Sequence, residues 1–285
     1  MAETASGAAP AHPAIGRSIV AGGIRTNYHD LGAGPPMVLL HGSGAGVTGW
    51  ENWHGLMPEL ARSFRVLVPD IVGFGFTERP PGTQYGIKLW VRHLLDFLDA
   101  LGVQRPILVG NSFGGALALA LSLRNPHRVE RMVLMGTPAG TFAQKAAMAR
   151  SWYYEPSLAN MAELLKTFPH DPAIVTDEMV RLRHEVTLLA GGMEAYRKLF
   201  PEPAPGGEVR QVKGIPEQDL QAIATPILAL HGRHDQRVPL ECGIRIAQNC
   251  QHADLHVFAD CGHWVQLERR AQFLAQTLDF VRDLA

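Results

Sequence analysis

The chain has 285 residues, which suits one large domain with an insertion better than two generous domains. With 46% apolar and 19% charged residues the composition is globular, and a formal net charge of −1 offers no broad basic field for nucleic acid or an anionic membrane. No apolar run approaches the roughly 18 residues of a membrane span. The opening stretch, Met1 to Pro13, is rich in Ala and Pro and lacks a charged region followed by an apolar one, so it reads as a disordered tail over 1–15 rather than a secretory signal. Three cysteines, Cys242, Cys250 and Cys261, show no metal-ligand spacing and read as reduced thiols of a cytoplasmic protein.

Arg17 to Ala21 and Ile24 to Asp30 predict a β-hairpin turning at Gly22-Gly23. Met37 to Leu40 is a wholly apolar strand of the kind buried on both faces, and it runs into the glycine-rich loop His41 to Gly46. Trp50 to Phe64 reads as a helix plus connector, and Arg65 to Val68 as the next strand, closed by Pro69-Asp70. From Val91, apolar residues recur at Leu94, Leu95, Leu98 and Leu101, a helical face ending at Gly102. Ile107 to Val109 and Met132 to Met135 are further strands, with an apolar helix from Ala116 to Leu123 between them. This alternation predicts an α/β fold with a mostly parallel sheet. From Ala139 to about Gln221 no strand is visible, only helical stretches rich in Met, Leu and aromatic residues, interrupted at Pro201 to Gly207. Strands resume at Pro226 to Leu230 and Leu255 to Phe258, and a last helix carries Phe273, Leu274, Leu278 and Val281. The expected organisation is a core of 16–138 and 222–285 with an inserted helical cap of 139–221 that would lie over the turn following Ile107 to Val109.

Gly110-Asn111-Ser112-Phe113-Gly114-Gly115 lies where a strand turns into a helix. A G-x-S-x-G turn of this kind strains the serine backbone and projects its hydroxyl, although an ordinary βα turn can carry the same letters by chance. A serine nucleophile needs a base, and the base an orienting carboxylate. Asp235 and His263 follow the last two strands in the chain order that a strand-end serine site requires. His234, beside Asp235, reads as a loop residue, and Asp260 is a weaker partner for His263 because it shares its loop. His256 reads as structural and Cys261 as a bystander. Two backbone N–H groups would form an oxyanion hole, one from Phe113 and one from Ser43 or Gly44. Gly44, Gly46 and Gly49, with Asp70 about 20 residues on, also match a dinucleotide fingerprint. Against that reading, His41-Gly42-Ser43 lengthens the turn, and it leaves the elbow, Asp235 and His263 unexplained.

Over nearly its full length the chain resembles the meta-cleavage product hydrolases, α/β-hydrolases that split a carbon–carbon bond in ring-fission products of aromatic degradation. The resemblance lies in Leu40 to Gly46, Gly110 to Gly115 and Cys261 to Gln266. Val72 to Pro80 and Thr176 to Val186 resemble the branch acting on 2-hydroxymuconic semialdehyde and its 6-alkyl relatives. Ala45 stands where a proline is common in the family. The resemblance implies a dienoate substrate, an enol–keto tautomerisation, and attack by Ser112 on the distal carbonyl with His263 as base. The amides of Phe113 and Ser43 would hold the oxyanion and Arg183 the substrate carboxylate, while Gly44, Asn52, Asn111 and Trp264 line the polar part of the site. It implies no metal or organic cofactor and a homodimer or larger homo-oligomer. A carboxylesterase with the same triad is the enzyme alternative, and a non-catalytic binding protein would be expected to lack part of the triad.

Overall fold

The computed structural model describes residues 12–201 and 209–285. Ten strands appear in chain order: β1 (Arg17–Ala21), β2 (Ile24–Leu31), β3 (Pro36–Leu40), β4 (Arg65–Pro69), β5 (Ile107–Asn111), β6 (Arg131–Met135), β7 (Thr141–Ala143), β8 (Gln211–Lys213), β9 (Ile227–Gly232) and β10 (Ala253–Phe258). Eight of them form one sheet in the order β1-β2-β4-β3-β5-β6-β9-β10. The pairs β1–β2 and β2–β4 are antiparallel, and every other pair in that sheet is parallel.

The unbroken apolar runs of the central strands separate into two faces. Val38, Leu40, Leu108, Met132 and Leu134 belong to one core with Phe97, Leu98, Leu117 and Ile246. Met37, Leu39, Ile107, Val109, Val133 and Met135 belong to a second core with Trp53, Leu60, Phe64 and Phe273. Helices 87–100, 113–124 and 240–249 therefore cover one face, and helices 49–53, 57–60 and 270–280 the other. Burial of both faces is why these strands show no period-two alternation in the sequence. Strand order reverses between β3 and β5, and the crevice at such a switch point is where open α/β sheets hold ligands.

Between β6 and β9 the chain leaves the sheet. Helices 146–152, 158–165, 177–187 and 192–199 occupy this excursion, and Thr176 caps helix 177–187 by accepting from Met179 N (3.2 Å). The expectation of no strand in 139–221 is corrected: β7 and β8 pair antiparallel at the base of the excursion, extended by a bridge between Ala139 and Ile215. Three-residue strands joined across some 70 residues are too short to show a period. The interruption expected at Pro201 to Gly207 falls almost entirely outside the described residues. Of the disordered tail expected over 1–15, residues 1–11 lie outside the described residues, and 12–15 are held against the core. Ala14 is buried, its carbonyl accepts from Asn27 Nδ2 (2.8 Å), and His12 Nε2 lies 3.2 Å from the Leu182 carbonyl. No helix among the described residues is long and apolar enough to cross a membrane.

Candidate active site

Ser112 lies between β5 and helix 113–124 with φ 54° and ψ −113°, and it is the non-glycine residue with positive φ among those described. An L-residue there carries strain on the order of 1–3 kcal/mol, which only a rigid surround maintains. The surround is visible. Ser112 N–H donates to the Met135 carbonyl (2.7 Å), and a Cβ on Gly110 would stand 2.6 Å from the Gly114 carbonyl carbon. Strand and helix can cross this closely only without side chains. The Phe113 N–H heads the helix, where no carbonyl one turn earlier can satisfy it.

Asp235 follows β9 and His263 follows β10. His263 Nδ1 and Asp235 Oδ2 are 2.7 Å apart and both residues are buried. Asp235 Oδ1 accepts from the backbone N–H groups of Arg237 (2.7 Å) and Val238 (2.9 Å). Burial works against the Asp235 charge, but the His263 imidazole and these donors outweigh it and hold the carboxyl below its ordinary value. His263 Nδ1–H therefore points at a carboxylate, leaving Nε2 as the basic nitrogen. Gly136 makes room for the pair. It directly follows Met135, whose carbonyl holds Ser112, and a Cβ on it would sit 2.9 Å from His263 Nδ1 and 3.0 Å from Asp235 Oδ2. Asn111 Nδ2 donates to the His263 carbonyl (3.2 Å), so the elbow and the histidine loop are tied directly.

The rival residues stand elsewhere. His234 is exposed and stacks on His170 at 4.4 Å. Asp260 is exposed beside Arg269 (3.8 Å), and His256 is exposed on β10. Burial pushes the Cys261 thiol far up, so it holds no thiolate near neutrality. Asp70 is a structural acid: Oδ1 accepts from Gly49 N (2.7 Å), and Oδ2 from Asn27 Nδ2 and Phe76 N (both 2.8 Å). At 1% exposure, and tied to these three donors, it is not placed to meet a ribose. Among the described residues, His170, His234 and Asp260 bring ligand atoms within 4.8 Å of one another, but they are exposed and the two imidazoles meet face to face.

The loop after β3 packs on the elbow. A Cβ on Gly42 would lie 3.5 Å from Ser112 Cβ, which places Ser43 and Gly44 beside the serine. His41 locks this loop: Ile71 N–H donates to its Nε2 (2.9 Å), so its Nδ1–H donates to the Gly42 carbonyl (2.7 Å). Burial lowers its pKa to about 4, which keeps the ring neutral. Arg183, on helix 177–187, reaches the loop, with Nε donating to the Ala45 carbonyl (3.0 Å) and Nη2 against Gly44.

A cavity of about 440 Å³ opens beside these residues, lined by Asn52, Arg183 and Trp264 together with Glu51, Gln266 and Met179. Ser112 and Asn111 are not in its lining. Asn52 Nδ2, Glu51 Oε2 and both amide atoms of Gln266 are buried with no partner among the described residues. Hydrogen-bonding groups left open in a cavity are what a polar ligand requires. Arg183 is 5% exposed and forms no ion pair with any described carboxylate within 4 Å, so its outer nitrogens stay available.

Glu51, which the sequence reading did not single out, also lines the cavity. Burial pushes its carboxyl up to about 8, against the pull of Arg183 and with the push of Asp70, while Thr48 accepts from its backbone N–H (3.1 Å). Neutral near pH 7, it does not neutralise Arg183. Its folded pKa lies above the unfolded value, so between about pH 4.5 and 8 the unfolded chain binds fewer protons and stability falls as pH rises. Urea midpoints at pH 5 and 8.5 should therefore drop further in the parent than in Glu51→Gln. Equal drops would show that burial does not hold the proton.

A family model of the α/β hydrolase fold matches residues 35–270, and the strained serine turn with the buried Asp–His pair at neighbouring strand ends is the arrangement of that class. A 2-hydroxy-6-oxo-2,4-heptadienoate hydrolase of Pseudomonas putida is 48% identical over 94% of this chain and 96% of its own. A 2-hydroxymuconate semialdehyde hydrolase of a Pseudomonas species is 45% identical over 95% of each chain. A meta-cleavage product hydrolase of Pseudomonas fluorescens, solved as a Ser-to-Ala variant with acetates, superposes with a TM-score of 0.88 at 41% identity, covering 95% of this chain and 99% of that one. The chain belongs to the meta-cleavage product hydrolases.

Proposed function

We propose that this enzyme hydrolyses the C5–C6 bond of a 2-hydroxy-6-oxohexa-2,4-dienoate, either 2-hydroxymuconic semialdehyde or a 6-alkyl homologue. The products are 2-hydroxypenta-2,4-dienoate and a small carboxylic acid. The observation that carries this reading is the pairing of His263 with Asp235 beside the strained Ser112, next to a cavity onto which Arg183 and Trp264 open.

Carbon is a poor leaving group, so the dienol first passes a proton from its 2-hydroxyl to C5, giving a ketone at C2 that can accept electrons. Ser112 Oγ then adds to the C6 carbonyl and its proton moves to His263 Nε2. The N–H groups of Phe113 and Ser43 stabilise the C6 oxyanion. The oxyanion collapses, the C5–C6 bond breaks and its electron pair passes into the conjugated C2 carbonyl, whose oxygen takes the proton held on His263 Nε2, so the five-carbon fragment leaves as its dienol and the imidazole is again a base. Water then releases the acid from Ser112. The outer nitrogens of Arg183 suit the C1 carboxylate, and neutral Glu51 leaves that charge uncompensated for substrate. The excursion between β6 and β9 acts as the cap, since it contributes Arg183, Met179 and Leu182 to the cavity. The three free thiols suit a reducing cytoplasm.

The test is spectrophotometric. Purified enzyme should bleach the yellow ring-fission product of catechol and its 6-methyl homologue. A folded protein that labels at Ser112 with a fluorophosphonate yet bleaches neither would be an esterase instead.

A further inference from the structure

Three side chains that the mechanism does not use meet at the seam between the excursion and the loops carrying Asp235 and His263. His170 follows helix 158–165 of the excursion, His234 directly precedes Asp235, and Asp260 stands three residues before His263. One ligand atom of each lies within 4.8 Å of the other two, and all three residues are exposed. The two imidazoles stack with centroids 4.4 Å apart and an interplanar angle of 20°.

The backbones beneath these side chains are locked to one another. Glu268 Oε2 accepts from the N–H groups of His170 (2.7 Å) and Gly262 (2.9 Å), and its Oε1 accepts from Trp264 N–H (3.1 Å). His234 N–H donates to the Cys261 carbonyl (2.9 Å). A Cβ on Gly262 would stand 2.6 Å from both His170 N and the Phe168 carbonyl oxygen, and one on Gly232 would stand 2.5 Å from the Cys261 carbonyl oxygen. The excursion, the β9 loop and the β10 loop therefore meet backbone to backbone. Three donor groups remote in sequence are held at fixed positions, and only side-chain rotation is left to settle. Most of the ordering that a metal site requires is already done by the fold.

Two imidazoles and a carboxylate suit a cation of the Zn2+ type, which binds His nitrogen at about 2.0–2.1 Å and carboxylate oxygen at about 2.0–2.2 Å. Mg2+ and Ca2+ take oxygen ligands and do not fit this set. At tetrahedral angles those bond lengths place ligand atoms about 3.4 Å apart, so the trio has to close by no more than about 1.4 Å. Stacked rings aim their lone pairs side by side, not at one point. Because both rings are exposed, a turn about each Cβ–Cγ bond brings the lone pairs together and gives up only the stacking contact. Arg269 is the competing charge, with Nη2 at 3.8 Å from Asp260 Oδ2. An exposed pair at that distance holds the carboxylate weakly. Glu268 keeps both oxygens on backbone donors and adds a negative charge nearby.

We propose that His170, His234 and Asp260 form a binding site for Zn2+ or a cation of its class, with water completing the tetrahedron. The site takes no part in hydrolysis. It works as a latch, since one ligand belongs to the excursion and two belong to the loops that present Asp235 and His263.

The experiment titrates the full chain, stripped with a chelator, with Zn2+ in a calorimeter near neutral pH. The parent should bind one equivalent with a Kd below about 50 µM, and Mg2+ should give no saturable binding. His170→Ala and His234→Ala should each weaken Zn2+ by 10-fold or more. Absence of binding would overturn the site, and so would binding unchanged in the variant carrying both substitutions, which would place the cation on other side chains. Co2+ supplies an independent readout, because its visible d–d bands intensify when the ion is held tetrahedrally. Those bands should appear with the parent and vanish with the doubly substituted variant. The latch is tested by urea midpoints. Zn2+ should raise the midpoint of the parent and leave that of His170→Ala unchanged, although this variant keeps both ligands on the sheet loops. An equal rise in the two would overturn the latch.

Discussion

Replacing Ser112 by alanine is expected to lower kcat by about 10,000-fold or more on any ring-fission product that the parent bleaches, because it removes the nucleophile that the strained turn projects. Alanine keeps the Cβ and therefore keeps the strain of φ 54° and ψ −113°. Glycine accepts that conformation freely. Ser112→Gly should be as inactive as the alanine variant yet more stable than the parent by about 1 kcal/mol, which a urea midpoint resolves. A glycine variant less stable than the parent would mean that the elbow's geometry is not strained. An alanine variant keeping more than a few per cent of kcat would remove Ser112 from the chemistry.

Asp235→Asn is the second large effect, and its reason is arithmetic in hydrogen bonds. One carboxylate oxygen faces His263 Nδ1 and the other faces two backbone N–H groups. Asparagine has one oxygen for these two jobs. If the oxygen stays with Arg237 and Val238, the amide NH2 meets His263 Nδ1 and forces the proton to Nε2, where the ring can no longer act as a base. If it turns to His263, the NH2 confronts two N–H donors. Either way kcat should fall about 1,000- to 10,000-fold, with a stability loss of about 1–3 kcal/mol from the mismatch. Near-parental kcat in a folded Asp235→Asn would show that another group orients His263.

Most of the architecture was legible because both faces of the sheet are buried. Met37 to Leu40 and Ile107 to Val109 are continuous apolar runs, and few other structures bury every residue of so short a segment. Gly22-Gly23 and Gly102 mark turns, each with positive φ. The ribbon of β7 and β8 and the packing of residues 12–15 were not legible, because each depends on a partner remote in sequence: Ala14 is held by Asn27, and β7 by β8. Helix 240–249 has a weak signature along the chain although Pro239 opens it, since its buried apolar positions (Cys242, Ile246) are few.

Turn chemistry and periodicity are local patterns, and they make the alternation of strands and helices, the elbow at Ser112 and the strand-end positions of Asp235 and His263 readable along the chain. That His263 faces Asp235 and not Asp260, that Asn111 holds the histidine loop, and that Glu51 keeps a proton beside Arg183 are visible in the folded molecule alone. Those properties arise from groups brought together across tens to hundreds of residues and removed from water. Burial and electrostatic coupling of this kind act through space, and no spacing along the chain encodes them.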